Sequence, residues 1–302
     1  MKIKFFALCW AAVLILPLLW GCSRPRTSQL ANTIRLPLSG IEQTTIAYDE
    51  EAVTFFPAEG GELIVKEFMT DSHKRYCAQV EVRGGSLHIS EGGKPLGGGF
   101  SRYIEVYLPP SYEQNLTVTT TSGPIDLSGM DLQLASLRIA STSGAVQVRR
   151  AAAEEVDFSS TSGTFELGSV QASAIRLETT SGSIACHQLT GQVTYATTSG
   201  SLAVGAAAGA GSYKASQSGR LTVAYTSVTG DLAFYNKNGA IDLTLPGGLA
   251  FAFEAETKNG SVSTAFPQNL TCRGRRVSGT VGGTPSVSIR AETKNGAIRV
   301  TN

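Results

Sequence analysis

Carboxylates recur in this 302-residue chain three positions after a repeated glycine, at Asp126, Glu166 and Asp242. Glycoside hydrolysis needs two carboxylates that face one cleft, and metal-assisted hydrolysis needs a base beside a bound metal. The equivalent positions of the intervening repeats hold uncharged residues, namely Gln147, Ala185, Ala203 and Thr222. Because the carboxylates do not converge, we expect no catalytic residue, and a polysaccharide-active β-helix enzyme is the last of the alternatives.

The histidines and cysteines are equally scattered along the chain. The histidines show no HExxH spacing and have no Ser or Cys partner at a motif spacing, and the cysteines show no CxxC pattern. We therefore expect neither a metal site nor a cofactor. Cys186 falls at a core position of the repeats, and a disulfide between Cys77 and Cys272 is left open. The histidines are His73, His88 and His187.

Basic side chains gather in the C-terminal part of the chain. Three Lys-Asn-Gly stretches bring lysines to one equivalent repeat position, close to the basic run RGRR. This cluster is either an ordinary solvated face or a contact for phosphate-rich wall polymers. A net charge of +1 and a pI near 7.6 give no global field for nucleic acid, so no nucleic-acid partner is expected. The residues of the cluster are Lys237, Lys258, Lys294, Arg273, Arg275 and Arg276.

Residues 1–21 are typical of an export signal, with two lysines before a short apolar run. The run ends in a stretch that resembles the lipobox of bacterial lipoproteins and implies a diacylglycerol on Cys22. The stretch consists of Leu19, Trp20, Gly21 and Cys22, of which Trp20 departs from the usual pattern. A plain membrane anchor or an uncleaved signal is the alternative. We expect residues 22–34 to form a tether and the lipid to hold the protein, as a monomer, on the extracytoplasmic face of a bacterial cell membrane.

A glycine repeats through most of the chain at intervals of 18 to 21 residues. Residues two and four positions after each glycine are mostly apolar, as are those five and seven positions before it, which predicts short strands with one buried face. A period of about twenty residues indicates a β-solenoid. The glycines are Gly123, Gly144, Gly163, Gly182, Gly200, Gly219, Gly239, Gly260 and Gly296, with Gly279 as a weaker member in the last double interval.

Each repeated glycine follows Thr-Ser, Lys-Asn or a similar pair, which is typical of a tight corner. We expect positive φ at these glycines and two short strands in each coil. A hydroxyl residue usually stands three positions before the glycine, and stacked coils should align these hydroxyls as ladders. A row of hydroxyls offered to a glycan is the functional alternative. The hydroxyl residues are Thr120, Ser141, Ser160, Thr179, Thr197, Ser216, Thr257 and Thr293.

The regular repeats occupy residues 113–302, and a less regular β portion, residues 35–112, precedes them. We expect the coils to stack in sequence order as a single-stranded β-helix with coils of about 19–21 residues. The stretch Gly205–Gly219 breaks the pattern, because Ser212 and Lys214 fall where core residues are expected. This break predicts a local bulge or loop.

Three sequence features together resemble the DUF4097 family over about residues 40–302. They are YIEVYLP at residues 103–109, the run of Thr-Ser-Gly repeats, and the closing segment from SGTVGG to AETKNGAIRV. These are bacterial β-strand-repeat proteins described as adhesins and related to the head GIN domain group. The resemblance implies a β-solenoid on an envelope protein, commonly anchored to a membrane, with relatives near envelope-stress genes, and it brings no catalytic residues.

Two functions of different classes follow from these observations. The first is a binding or scaffolding module that holds a glycan, a wall polymer or an envelope protein along its flank. The second is a structural or sensory envelope component that acts on a membrane partner. The first predicts saturable binding by the lipid-free protein, and the second predicts co-purification with a membrane protein.

Overall fold

The computed structural model describes residues 27–266 and 270–302. Leu19, Trp20, Gly21 and Cys22, with the rest of the predicted export signal, lie outside the described residues. The described residues form twenty-one strands of one hydrogen-bonded sheet and a short 3-10 turn at Lys74–Tyr76. The predicted all-β solenoid is therefore confirmed. Within the two described ranges, no helix has the length and apolar character needed to cross a membrane.

The strands fall into three groups. The N-terminal group is β1 (Gln29–Pro37), β2 (Gln43–Ala47), β3 (Ala52–Pro57), β4 (Glu62–Met69), β5 (Gln79–Arg83), β6 (Ser86–Ser90) and β7 (Arg102–Leu108). The central group is β8 (Asn115–Thr120), β9 (Ile125–Ser141), β10 (Val146–Ser160), β11 (Phe165–Thr179), β12 (Ser183–Thr197) and β13 (Ser201–Ala215). The C-terminal group is β14 (Leu221–Asn238), β15 (Ile241–Thr244), β16 (Phe251–Asn259), β17 (Val262–Thr264), β18 (Leu270–Arg273), β19 (Arg276–Val281), β20 (Val287–Asn295) and β21 (Ile298–Thr301).

Each central coil is one long strand rather than the two short strands that the pattern predicts. The strands β9 to β13 pair in parallel, so that Val146 lies between Ile125 and Phe165 of the neighbouring coils. Burial alternates along each strand but slips in phase twice, and these slips divide the coil into three inward-facing runs. In β11 the buried runs are Phe165 with Leu167, Val170 with Ala172, and Ile175 with Leu177 and Thr179. Equivalent side chains of successive coils stack in one continuous core.

The repeated glycines form a column in which the backbones of neighbouring coils nearly touch. A Cβ atom on Gly144, Gly163, Gly182 or Gly200 would lie 2.1–2.4 Å from the carbonyl oxygen of the preceding glycine in the column. The expected positive φ occurs in this set at Gly219 (138°) and Gly239 (156°). At the other seven glycines of the column φ is not positive, so the prediction of positive φ was wrong there. Glycine is required at these positions because the backbones of neighbouring coils approach too closely for a Cβ atom. The column runs Gly123, Gly144, Gly163, Gly182, Gly200, Gly219, Gly239, Gly296, Gly260.

The hydroxyl residues at the corners bond to the backbone of the corner instead of to one another. The Gly163 N–H donates to Ser160 Oγ at 2.6 Å, and the Gly182 N–H donates to Thr179 Oγ1 at 2.8 Å. The hydroxyl residues of β8 to β12 do align in register on successive coils, as expected, although no hydrogen bond joins one of these described hydroxyls to the next. All of these hydroxyls except that of Ser216 satisfy a backbone group that burial would otherwise leave without a partner.

The stretch Gly205–Gly219 forms a regular coil and not the expected loop. Strand β13 runs unbroken to Ala215, and Ser212 and Lys214 alternate outward on either side of buried Tyr213. The corner after β13 is one residue longer than the corner after β12, because Ala215, and not Ser216, pairs with Thr197. The bulge appears only in the pairing of β13 with β14, whose register shifts between residues 204 and 211 of β13.

At the N-terminal end, two further coil layers continue the stack. Strands β2 and β3 pair with β8 and β9 on one side and with β6 and β7 on the other, all in parallel. Strands β5 and β4 then pair with β6 and β7 in antiparallel fashion, and β1 pairs with β4. Antiparallel strands therefore terminate the solenoid at this end.

At the C-terminal end, the coils do not stack in the expected sequence order. Strands β20 and β21 lie between β14 with β15 on one side and β16 with β17 on the other. Gly279 is not a corner, because it lies in β19, which pairs antiparallel with β16 opposite Phe253. Strand β18 pairs with β19 and ends the stack.

The three cysteines of the described residues are free thiols, so the disulfide between Cys77 and Cys272 does not form. Cys186 occupies the expected core position, and burial raises the pKa of its thiol to about 12. A thiol of this kind is inert at neutral pH.

Candidate binding surface

An exposed row of threonines follows the corner edge of the solenoid. Each threonine comes directly after a corner hydroxyl residue, and backbone hydrogen bonds between successive corners keep the row aligned, for example from the Ser162 N–H to the Thr142 carbonyl at 2.8 Å. With the adjoining residues of the strands, four of these threonines line a shallow groove of about 490 Å³. The row consists of Thr121, Thr142, Thr161, Thr180 and Thr198.

Three lysines continue the same edge toward the C-terminal end. Strand β20 lies between β14 and β16, with Asn295 beside both Asn238 and Asn259. The lysines that precede these asparagines, Lys237, Lys294 and Lys258 in spatial order, therefore occupy adjacent strands. Adjacent strands are about 4.8 Å apart, so the backbone positions that carry the three lysines lie side by side. We call these three residues the lysine row.

An asparagine ladder fixes the backbone beneath the lysine row. Asn259 Nδ2 donates to Asn295 Oδ1 at 2.8 Å, and Asn295 Nδ2 donates to Asn238 Oδ1 at 2.6 Å. Asn238 Nδ2 in turn donates to the Gln217 carbonyl at 2.6 Å. The ladder explains the change from Thr-Ser-Gly to Lys-Asn-Gly at this end, because serine is too short to bond its equivalent on the next strand.

The arginines of the basic cluster have different surroundings. The Arg275 guanidinium donates to the carbonyl of Lys258 and so extends the lysine row by one cation. Arg276 forms an ion pair with Glu254 at 2.6 Å, and Arg273 lies opposite it in the β18–β19 hairpin. Among the described residues, no carboxylate lies within 4.0 Å of an ammonium group of the lysine row.

The carboxylates singled out from the sequence lie on the outer surface of separate coils. Glu166 accepts a hydrogen bond from Gln147 at 3.3 Å. Asp242 contacts Arg299 at 3.0 Å and Arg220 at 3.5 Å. Asp126 accepts a hydrogen bond from the Ser128 N–H of its own strand at 2.8 Å, and the structure brings no two of the three carboxylates together.

Sequence reasoning missed a buried charged cluster at the N-terminal end of the corner edge. Arg102, whose side chain is fully buried, donates from Nη2 to Glu51 Oε1 at 2.8 Å and to Glu91 Oε2 at 2.9 Å. Its Nη1 donates to the Tyr76 carbonyl at 2.7 Å, and Lys94 Nζ lies 3.4 Å from Glu51. No sequence spacing links these residues, because their contact depends on β7 and β3 being neighbours.

The two carboxylates of this cluster titrate differently. Burial and a hydrogen bond shared with Glu51 raise the pKa of Glu91 from 4.5 to about 7. Burial also favours a raised pKa for Glu51, but its hydrogen bond with Glu91 and the charge of Arg102 outweigh burial and lower that pKa. Glu91 also accepts from the Asp49 N–H at 3.3 Å and faces Lys94 at 3.6 Å.

We expect the protein to lose stability as the pH rises from about 5 to about 7. Over this range the folded state keeps a proton on Glu91 that the unfolded state has released, so deprotonation favours unfolding. Urea unfolding at intervals of pH measures the effect. Glu91→Gln, which mimics the protonated acid, should flatten the profile between these limits. A profile that Glu91→Gln leaves unchanged would contradict the assignment.

Comparisons with known proteins identify the architecture. A family model described as Toastrack DUF4097 matches residues 41–301. A structure from Parabacteroides merdae ATCC 43184 titled a "putative adhesin" is 11% identical, with a TM-score of 0.44, over 90% of this chain and 96% of that one. A "Putative lipid binding protein" from Parabacteroides distasonis ATCC 8503 is 14% identical, with a TM-score of 0.33, over 89% and 96%. With such scores, neither likeness indicates what this chain binds, and no curated protein matches it.

Proposed function

The chain belongs to the Toastrack DUF4097 family, whose model spans residues 41–301, and we propose that this member is a non-catalytic binding protein of the bacterial envelope. Its ligand is an anionic, phosphate-bearing wall polymer. The polymer lies along the corner edge, with its charged groups on the lysine row and its remaining length over the threonine row. The predicted lipid on Cys22 would hold this edge at the extracytoplasmic surface.

The observation that carries the proposal is the alignment of three ammonium groups without a carboxylate partner among the described residues. A ligand with regularly repeated negative charges fits such a row, because each charge then meets a cation and the counterions of both surfaces are released. The asparagine ladder supports the same view, since it holds the lysines in place before any ligand arrives.

The threonine row makes the proposed surface longer than the basic cluster. Its hydroxyls both donate and accept hydrogen bonds, as the sugar or polyol units between phosphates require. The groove beside them is shallow and open along its length, which suits a chain that passes across the surface.

We expect residues 23–302, which include every described strand, to bind purified wall polymer with an affinity that decreases as salt increases. Changing Lys237, Lys258 and Lys294 together to Gln should weaken binding about tenfold, because three exposed charge contacts contribute about 0.5 kcal/mol each. Isothermal titration or a surface-binding assay measures the change.

A matched control removes three positive charges away from the corner edge, through Arg35→Gln, Arg149→Gln and Arg150→Gln. This variant should bind as well as the parent. Equal loss in both variants, or no binding by the parent to any wall polymer, would contradict the proposal. DNA of similar charge tests for unspecific attraction, and it should bind more weakly than the wall polymer.

A further inference from the structure

Among the strands that the structure describes, β5 pairs only with β6, so its outer edge is open at the N-terminal end of the solenoid. Strand β5 pairs with β6 through the two-residue turn Gly84–Gly85, whose φ values are 54° and 80°. In a two-residue hairpin, the residues next to the turn exchange both backbone hydrogen bonds, and the bonding residues then alternate. The backbone N–H and C=O of Arg83, Glu81 and Gln79 therefore bond to β6. Those of Val80 and Val82 point to the open edge.

The side chains of the same two valines are apolar and uncovered. Val80 lies opposite Ile89, and Val82 lies opposite Leu87, both of which are buried in the core. Directly opposed residues share one face of a sheet, so the valines point to the core side. They are nevertheless 39% and 54% exposed. This edge therefore offers unpaired backbone groups together with apolar side chains.

Other open edges among the described strands carry features that block pairing. Strand β1 has a bulge between Leu30 and Asn32 and ends at Pro37. Strand β18 ends at Arg273, in a hairpin whose turn adds Arg275 and whose second strand begins at Arg276, so two copies of it would repel each other. Bulges, proline and charge are the usual protections of edge strands. Strand β5 has no bulge and no proline, and its charges, Glu81 and Arg83, lie on the outer face.

We propose that a second copy of this chain pairs with β5 along its open edge, in antiparallel orientation about a two-fold axis at Val82. Charge selects this register. An axis at Glu81 would oppose two carboxylates, whereas an axis at Val82 places each Glu81 opposite Arg83 of the other copy. In the single chain these two side chains already form an ion pair at 2.5 Å.

The two-fold arrangement pairs the open backbone groups of β5 and covers its exposed apolar surface at the same time. Val82 exchanges both backbone hydrogen bonds with its symmetry mate, and the two Val82 side chains meet over the exposed end of the core. The contact pairs only residues 81–83 of each copy's strand, because Val80 then lies opposite Gly84 of the turn, so we expect a weak dimer with a Kd of about 10 µM. The inference does not depend on the polymer-binding function, because the lysine row lies at the other end.

Sedimentation equilibrium of residues 23–302 tests the proposal. The parent should change from monomer to dimer as its concentration rises through the micromolar range, and Val82→Lys should stay monomeric with an unchanged circular dichroism spectrum. Thr271→Lys, on the open strand at the opposite end, is the matched control and should dimerise as the parent does. A parent that is monomeric at about 100 µM, ten times the expected Kd, would overturn the proposal.

A cross-link tests the register. In a background with Cys77→Ser and Cys272→Ser, Val82→Cys should form an intermolecular disulfide under mild oxidation, because hydrogen-bonded opposite residues have Cα atoms about 5.5 Å apart. Thr271→Cys in the same background should not cross-link. If the dimer persists in Val82→Lys, or if Thr271→Cys cross-links as fast as Val82→Cys, the contact lies elsewhere and the proposal is wrong.

Discussion

Arg102→Met should destabilise the protein by about 3–5 kcal/mol, the usual cost of removing one partner from a buried ion pair. The substitution leaves Glu51, whose side chain is 5% exposed, and Glu91 without their shared guanidinium. Lys94 lies near both carboxylates but is partly exposed, so it offsets only part of the loss. Urea unfolding measures the change in the free energy of unfolding. The same loss of stability should lower the melting temperature by about 10 °C.

Two further variants separate the charge effect from loss of packing. Arg149→Met removes an arginine that is 57% exposed and pairs with Asp131 at 3.2 Å, and it should cost less than about 1 kcal/mol. Adding Glu51→Gln to Arg102→Met should recover part of the stability, because it neutralises a buried carboxylate. If the double variant is no more stable than Arg102→Met, the unpaired charge is not the cause.

Gly182→Ala should destabilise the protein by about 3 kcal/mol or more. The added Cβ would lie 2.1 Å from the Gly163 carbonyl oxygen, and that oxygen belongs to a backbone that both neighbouring coils hold in register. Neither coil can move away without breaking its own hydrogen bonds. The variant should show a lower urea midpoint and a melting temperature lower by about 6–12 °C.

Gly61→Ala is the matched control for the glycine column. A Cβ at Gly61 would meet no atom within 4 Å, and its φ is not positive. Its stability should therefore change by less than about 0.5 kcal/mol, or rise slightly, since alanine restricts the unfolded chain. Similar losses at Gly61 and Gly182 would show that the close approach of coils does not decide stability.

The repeat pattern allowed the solenoid and most of its core to be predicted, because alternation on either side of each glycine survives in nearly every coil. It predicted burial of Leu167 and Leu177 but not of Val170 and Ala172 between them. The missed pair follows a phase slip, and period-two reasoning cannot place residues across such a slip. The same limit explains why Ser216 was wrongly predicted to be the corner hydroxyl. The corner after β13 is one residue longer, so Ala215 takes the equivalent position.

The reason for each corner glycine could not be found in the local sequence. Positive φ is a property of one residue and its neighbours, whereas the contact of Gly182 with Gly163 exists only once two coils are stacked. The Arg102 cluster was missed for a similar cause, since its members approach through β7 and β3, which are distant along the chain. The lysine row was found because its members share a repeat position, although their spatial order was not.

The position of β20 and β21 inside the stack determines where the molecule can grow. Strands β20 and β21 are held on both sides, so they form an interior coil, and the outermost described layers come from earlier residues. A further coil beside β20 and β21 would meet no open parallel edge, whereas a coil duplicated between β9 and β13 would find the same kind of neighbour above and below. We therefore expect the stack to tolerate an inserted coil in the central group and not at either antiparallel end.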